Sequence, residues 1–161
     1  MTELITTELS RIFIMLGISA TPLVELRGAI PYGATVGVPF WENLILCTIG
    51  NMIPIPFIIL FIRKIFDWMR ARKILERQIT WLEQRVLRKS DVVKKYELVG
   101  LIIFVAIPLP GTGAWSGALL AALMDIRLRS AVPAILLGVI IAGFLVGGVS
   151  YGFIEFLNFM F

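Results

Sequence analysis

Glu25 and Arg27 lie in otherwise apolar sequence, within the segment Glu25-Leu-Arg-Gly-Ala-Ile-Pro-Tyr-Gly33. Ionisable residues are costly in lipid and usually face a partner or a water-filled cavity. A guanidinium can hold a phosphate or carboxylate by bidentate hydrogen bonds, and a nearby acid can balance charge or carry a coupling proton. The pair therefore predicts either a site for a charged group at membrane depth or a structural ion pair that ties the segment together.

A second interrupted segment carries no charge but offers polar backbone. Pro108-Leu-Pro-Gly-Thr-Gly-Ala-Trp-Ser-Gly117 predicts an unwound turn that leads into the start of a helix. Free N–H groups and the helix dipole attract anions there, and Thr112 adds a hydroxyl donor. The alternative is that these glycines serve close helix packing, since Gly113 and Gly117 form a small-xxx-small pair.

Asn51, Pro54 and Pro56 interrupt a third apolar segment. They either line the same cavity or only kink the helix. Broken segments at membrane depth survive where protein or a solvated cavity surrounds them, and in matching halves of a chain they are typical of transport sites. The candidate substrate-binding residues are Glu25, Arg27, Gly28, Pro31, Asn51, Pro108, Pro110, Gly111, Thr112, Gly113 and Trp115.

The composition is that of an integral membrane protein. Of the 161 residues, 58% are apolar, and the mean hydropathy of +0.91 is too high for a soluble domain of this size. Glu3 and Glu8 precede Arg11, so no secretory signal is predicted. With no histidine and one cysteine, Cys47, we expect no metal site, no cofactor and no internal disulfide.

Catalysis is not expected, because a nucleophile needs an activating base. The chain has no histidine, and Ser116 and Ser150 lie in apolar segments without a lysine. A nucleic acid partner is not expected either. The pI near 9.6 is explained by basic residues gathered on one side of a membrane.

Charge-free runs predict the spanning segments. Residues 43–62 and 130–154 contain 20 and 25 residues without a charge, enough for a helix to cross roughly 30 Å of hydrocarbon. Residues 12–24 and 28–41 are too short to cross alone at about 1.5 Å per residue. They predict a re-entrant helical hairpin around residues 25–27.

The basic residues predict the orientation. Residues 63–95 hold 11 of the 15 basic residues, and the positive-inside rule places them in the cytoplasm. Residues 98–124 could form one span or a second re-entrant hairpin broken at residues 108–113. The hairpin is favoured because it returns Arg127 and Arg129 to the cytoplasmic side.

The connector 63–97 is predicted to be an amphipathic helix on the inner leaflet. It either contacts anionic lipid or only presents a solvated charged face. Its apolar face consists of Trp68, Leu75, Ile79, Leu82 and Val86.

The two halves of the chain follow one order of hairpin, charged edge and spanning helix. Half 1 is 1–62 and half 2 is 98–161, within a single membrane domain, 1–161. One spanning helix between the hairpins makes them enter from opposite faces. We therefore predict an all-helical integral membrane fold with an inverted-topology repeat, as in many secondary transporters. A homodimer is expected because one copy offers little wall around a midplane cavity.

Three motifs resemble those of a known family. Residues 25–33, Gly50-Asn-Met-Ile-Pro-Ile-Pro56 and residues 108–115 are similar to the signature segments of the prokaryotic family named "putative small multi-drug export protein". The resemblance covers nearly the whole chain and implies a multi-pass protein of the prokaryotic inner membrane. The family arrangement is similar to that of the DedA/VTT superfamily, whose opposed re-entrant hairpins are implicated in lipid translocation. Here the first hairpin has one acidic residue and the second none, so the acid-rich DedA pattern is not reproduced.

These observations predict a transporter that moves an amphipathic substrate through a midplane site between two hairpins. A phosphate-bearing lipid is the expected substrate, because Arg27 facing a Gly-rich helix start favours an anionic head group. Membrane lipids are the expected partners. The alternatives are an exporter of cationic drugs coupled to an ion gradient and a non-transporting membrane assembly protein.

Overall fold

The computed structural model describes residues 2–22, 24–71, 91–109 and 111–160. Over these ranges the chain is helical and contains no strand, which confirms the predicted all-helical class. The helices are α1 Thr2–Ala20, α2 Glu25–Thr35, α3 Phe40–Met52, α4 Ile55–Ala71, α5 Asp91–Ala106, α6 Ala114–Leu123 and α7 Leu128–Met160. The inverted repeat and the re-entrant path of the hairpins stay predictions.

Two apolar helical stretches are long enough to cross a membrane. They are Phe40–Ile62, with 23 residues, and Leu128–Phe156, with 29 residues, and they include the spans predicted at 43–62 and 130–154. Two further apolar helices, Leu9–Ala20 and Ala114–Leu123, are shorter.

The helices extend beyond the charge-free runs from which they were predicted. α3 begins at Phe40, where Glu42 in the first turn complements the helix dipole. α4 continues past Ile62 into the predicted connector, because arginine and lysine have high helix propensity. Trp68 of the predicted apolar face lies in α4, whereas Leu75, Ile79, Leu82 and Val86 lie outside the described residues.

The helices group into two compact units, of which the first comprises Met1–Ile53 and Val139–Phe161. In this unit α1 packs against α2 and α3, and α2 packs against α3. Gly50 allows the close approach of α3 to α1, since a methyl group there would lie 2.8 Å from the Leu16 carbonyl oxygen. Met15, Leu26 and Ile30 form the fully buried core between these helices.

The second unit comprises Pro54–Gly138. Here α6 packs against α4 and α5 around the buried side chains of Ile59, Leu101 and Val105. A methyl group at Gly117 would lie 2.5 Å from Val105 Cγ2, so this glycine serves close packing.

Large apolar side chains cover much of the outer surface of α3, α4 and α7. Soluble monomers rarely expose continuous apolar surface of this kind, whereas lipid covers it without cost. The surface therefore agrees with a membrane protein. Exposed examples are Trp41, Ile45, Ile49, Phe57, Phe61, Leu137, Ile141, Leu145, Val149 and Phe153.

Candidate functional site

Glu25 begins α2 directly after the four-residue connection that follows α1. Its amide donates to the Thr21 carbonyl at 3.2 Å, and the Thr21 hydroxyl donates to the Ile18 carbonyl at 2.6 Å. These hydrogen bonds hold a turn in which Glu25 adopts a φ of +53°. A left-handed conformation is costly for a residue with a side chain and tends to occur at functional sites. The carboxylic side chain is nevertheless buried, with 5% of the residue exposed.

Arg27 lies two residues further along α2 and is half-buried. Its guanidinium is attracted electrostatically by the Glu25 carboxylate, so the two charges predicted to act together are neighbours. Pro31 lies inside the same helix and is half-buried. Because proline has no N–H group, Pro31 removes the helical hydrogen bond to the Arg27 carbonyl. The Arg27 carbonyl group, which lacks this helical donor, thus lies next to the charged pair.

Gly28 places the start of α2 against the preceding turn. Its amide donates to the Val24 carbonyl at 3.1 Å, and a methyl group at this position would clash with the Val24 side chain. The glycine therefore has a packing role that keeps the turn close to the helix.

A buried asparagine connects three parts of the first unit. Asn43 Nδ2 donates to the Ile30 carbonyl of α2 at 2.8 Å and to the Tyr151 hydroxyl of α7 at 2.9 Å. Its Oδ1 accepts from the Cys47 thiol at 3.2 Å, and the Tyr151 hydroxyl donates to the Val38 carbonyl. This polar network, Asn43–Tyr151, fixes α2 relative to α3 and so positions the helix that carries Glu25 and Arg27.

Asn51 lies eight residues beyond Asn43 on α3 and is also fully buried. Neither its Oδ1 nor its Nδ2 has a hydrogen-bond partner within the described part of the chain. Thr48 Oγ1, three residues earlier, is buried and has no partner there either. Buried amides in native proteins are nearly always hydrogen-bonded, so this pair needs an explanation.

The second predicted segment forms the irregular stretch between α5 and α6. Gly111 and Gly113 have φ values of +81° and +129°, which glycine adopts easily. Gly113 caps α6, and the helix begins at Ala114 as predicted. Pro108 is exposed and Trp115 is half-buried on α6, whereas Pro110 lies outside the described residues.

Thr112 closes this stretch. Its hydroxyl lies 2.8 Å from both the Ile107 and the Leu109 carbonyl oxygens and accepts from the Leu109 amide at 3.3 Å. The sequence predicted a hydroxyl available to a ligand. In the structure the Thr112 hydroxyl instead donates its hydrogen bond to the loop carbonyl groups, because the turn at Gly111 brings them within reach.

The candidate residues divide between the two units. Glu25, Arg27, Gly28, Pro31 and Asn51 belong to the first, and the residues of 108–115 belong to the second. The second unit also contains a cavity of about 240 Å³ that sequence reasoning missed, lined by Leu98, Met124, Asp125, Ile126, Arg127 and Ser130. The positive φ of Asp125, +55°, marks the turn beside it, but the sequence signals nothing more than a helix boundary there.

Comparison with known proteins bears on the same residues. The family model described as "Putative small multi-drug export protein" matches residues 25–145, which is more than half of the chain. The match starts at Glu25 and includes Arg27, Asn51 and the stretch between α5 and α6. No curated protein and no solved structure matches the chain, so the resemblance to the DedA/VTT superfamily gains no support. By the extent of the family match, the chain belongs to the putative small multi-drug export protein family.

Proposed function

We propose that the protein exports small amphipathic molecules across the membrane and that the Glu25–Arg27 pair holds the charged group of the substrate. The observation that carries the proposal is the buried Glu25, held beside Arg27 in a left-handed backbone conformation. Backbone strain and buried charge are both destabilising, and their coincidence is typical of functional sites. A family described as export proteins is consistent with this role.

The proposed substrate class is an anionic amphipath, with a phosphate-bearing lipid as the leading example. Glu25 is buried, whereas Arg27 is half-buried, so Arg27 is the more accessible residue of the pair. A guanidinium binds phosphate through paired hydrogen bonds, while Glu25 balances its charge when the substrate has left. The backbone of Gly111 and Gly113, whose φ values are positive, is proposed as a second anion-holding segment before α6.

The order of the helices supports the proposed membrane path. Each half contains two helices joined by an irregular stretch and followed by an apolar span: α1 and α2 before Phe40–Ile62, and α5 and α6 before Leu128–Phe156. We propose that each helix pair is re-entrant and that the halves are related as an inverted repeat in the prokaryotic inner membrane, with 63–97 in the cytoplasm. A homodimer is part of the same proposal.

A second candidate function is the export of cationic drugs coupled to an ion gradient. The family description favours it, since it names drug export. In that case Glu25 would be the substrate contact, and a cation would have to compete with Arg27 for the carboxylate.

The two substrate classes are separated by one reconstitution experiment. Purified full-length protein in proteoliposomes is assayed for leaflet exchange of a fluorescent phosphatidic acid and for uptake of a fluorescent cation. Arg27→Met should reduce lipid exchange to background. The matched control is Arg129→Met, because Arg129 is exposed and lies outside the pair; this variant should retain exchange.

Each outcome decides between the functions. Cation uptake that survives Arg27→Met, with lipid exchange at background in the unmodified protein, would favour the drug exporter. Folded protein that moves neither probe would contradict export of both substrate classes and favour the membrane assembly role.

A further inference from the structure

The chain between α3 and α4 contains a two-residue break. α3 ends at Met52, residues 53 and 54 are bent, and α4 begins at Ile55. Pro54 and Pro56 have no N–H group, so the carbonyl groups of Gly50 and Met52 lose the helical donors four residues ahead. The break therefore leaves two carbonyl oxygen atoms without their usual helical donors.

The Asn51 side chain lies at this break and needs partners that the described residues do not supply. It is fully buried, and both polar atoms of its amide lack hydrogen bonds. Asn43 on the same helix is buried to the same extent, yet both its polar atoms are bonded. The fold can thus satisfy a buried asparagine on α3. The one at 51 has no partner among the described residues, and an unsatisfied buried amide costs stability.

Thr48 adds a third buried polar atom that has no partner in the part of the chain that the structure describes. It precedes Asn51 by three residues, so the two side chains lie on one side of α3. On the membrane path proposed above, the site also lies deep in the membrane. Trp41 is exposed at the start of α3, as is typical of an interface anchor, and ten residues of helix place Asn51 about 15 Å further in.

We propose that Thr48, Asn51 and the carbonyl groups at the break bind a monovalent metal cation, with sodium as the expected ion. Every ligand is a neutral oxygen, whereas sites for divalent ions use carboxylates that offset the larger charge. No cluster of acidic, histidine or cysteine side chains suited to a divalent metal occurs among the residues described. A coordinated water would provide the acceptor that Asn51 Nδ2 needs.

Discontinuous helices in transporters coordinate sodium through unwound carbonyl groups, so the ion would serve as the coupling ion for export. That role rests on the export function proposed above. The binding of the ion does not depend on the export function, and it is tested without a transport assay.

The test measures the thermal midpoint, Tm, of purified full-length protein in detergent. NaCl, KCl and choline chloride are compared at equal ionic strength. A ligand that binds only the folded state raises Tm in a saturable way, so a metal cation should raise Tm above its value in choline chloride.

Asn51→Leu is the decisive variant, and Asn43→Leu is its matched control. Asn51→Leu removes an unsatisfied buried amide, so its Tm in choline chloride should equal or exceed that of the unmodified protein, and its response to the cation should disappear. Asn43→Leu breaks the bonds to Ile30, Tyr151 and Cys47 and should lower Tm in every salt while keeping the response.

Thr48→Val provides a second test should Asn51→Leu fold poorly. Loss of one oxygen ligand should raise the half-maximal cation concentration by about tenfold. A Tm that is equal in the three salts would overturn the cation site, as would an unchanged response in both Asn51→Leu and Thr48→Val. Neither result would affect the Arg27-dependent transport assay, so failure of the ion site and failure of the export function are distinguishable.

Discussion

Gly33 of α2 lies directly against the carboxamide of Asn43 in α3. A methyl group on Gly33 would lie 2.5 Å from both Cγ and Nδ2 of Asn43, so the two helices have no room for a side chain between them. Gly33 therefore allows Asn43 to reach the Ile30 carbonyl and complete the Asn43–Tyr151 network. The lack of a side chain at Gly33 thus allows the Asn43 amide to form its hydrogen bond to Ile30.

Gly33→Ala tests this contact. The added methyl group must displace the Asn43 amide, and overpacking of this kind typically costs about 1–3 kcal/mol. The free energy of unfolding in detergent, from denaturant titration, measures the cost. Gly17→Ala is the control, because nothing lies within 4 Å of the added group in α1. That change should be neutral or stabilise by up to about 1 kcal/mol. Equal effects of the two substitutions would show that the Gly33 contact is loose.

Tyr151→Phe tests the link from α7 to the rest of the first unit. The change removes the donor to the Val38 carbonyl and one acceptor of Asn43 Nδ2, and it should cost about 1–2 kcal/mol of unfolding free energy. Combined with Asn43→Ala in a double-mutant cycle, it should give a coupling energy of about 0.5–1.5 kcal/mol. Tyr32→Phe, at an exposed tyrosine of α2, is the control and should change little. Simple additivity of the Asn43 and Tyr151 effects would exclude the network.

Replacement of the charged pair tests its contribution to folding. Arg27→Met leaves the buried Glu25 carboxylate without its neighbouring charge, which typically costs about 3–5 kcal/mol, and Glu25→Gln, which leaves the half-buried Arg27, should cost less. The double variant should unfold at a higher denaturant concentration than either single variant, yet remain inactive in transport. Glu42→Gln, at an exposed acid of α3, is the control for loss of charge. Normal transport by the double variant would make the pair purely structural.

Thiol labelling tests the proposed topology. In a Cys47→Ala background, single cysteines are introduced as Ile5→Cys, Thr80→Cys, Leu128→Cys and Met160→Cys. An impermeant reagent applied to intact cells should label positions 5 and 160, whereas positions 80 and 128 should require membrane permeabilisation. Labelling of position 80 from outside, or of position 128 alone, would contradict the inverted repeat. Unmodified Cys47 is fully buried and should resist the reagent.

The spans and the charged pair could be predicted because the cost of charge in lipid is a property of the residue itself. A run without charge predicts a crossing, and an acid or arginine inside such a run is conspicuous in any fold. The helix start after Gly113 followed from local Pro and Gly chemistry. Helix ends were predicted less well, since α3 starts at Phe40, three residues before the charge-free run at 43–62. The ends of a helix need not coincide with the ends of its apolar segment.

The Asn43–Tyr151 network could not be predicted, because its members are 108 residues apart and neither position has a local signature. An asparagine in an apolar run signals that a partner is needed, without identifying it. Asn51 was conspicuous for the same reason, and only the structure separates it from Asn43. The role of Thr112 was predicted incompletely, since its hydroxyl serves the loop.

Because α7 is long, the thickness of the bilayer should affect how this helix is accommodated in the membrane. Its apolar stretch, Leu128–Phe156, has 29 residues and is about 43 Å long, whereas a hydrocarbon core is roughly 30 Å thick. A helix with this excess must tilt, extend into the head groups or thicken the bilayer around it. Lipids with longer acyl chains reduce the mismatch and shorter ones increase it. Reconstitution in two lipids of unequal chain length therefore compares two degrees of hydrophobic mismatch at α7, even when the head groups are identical.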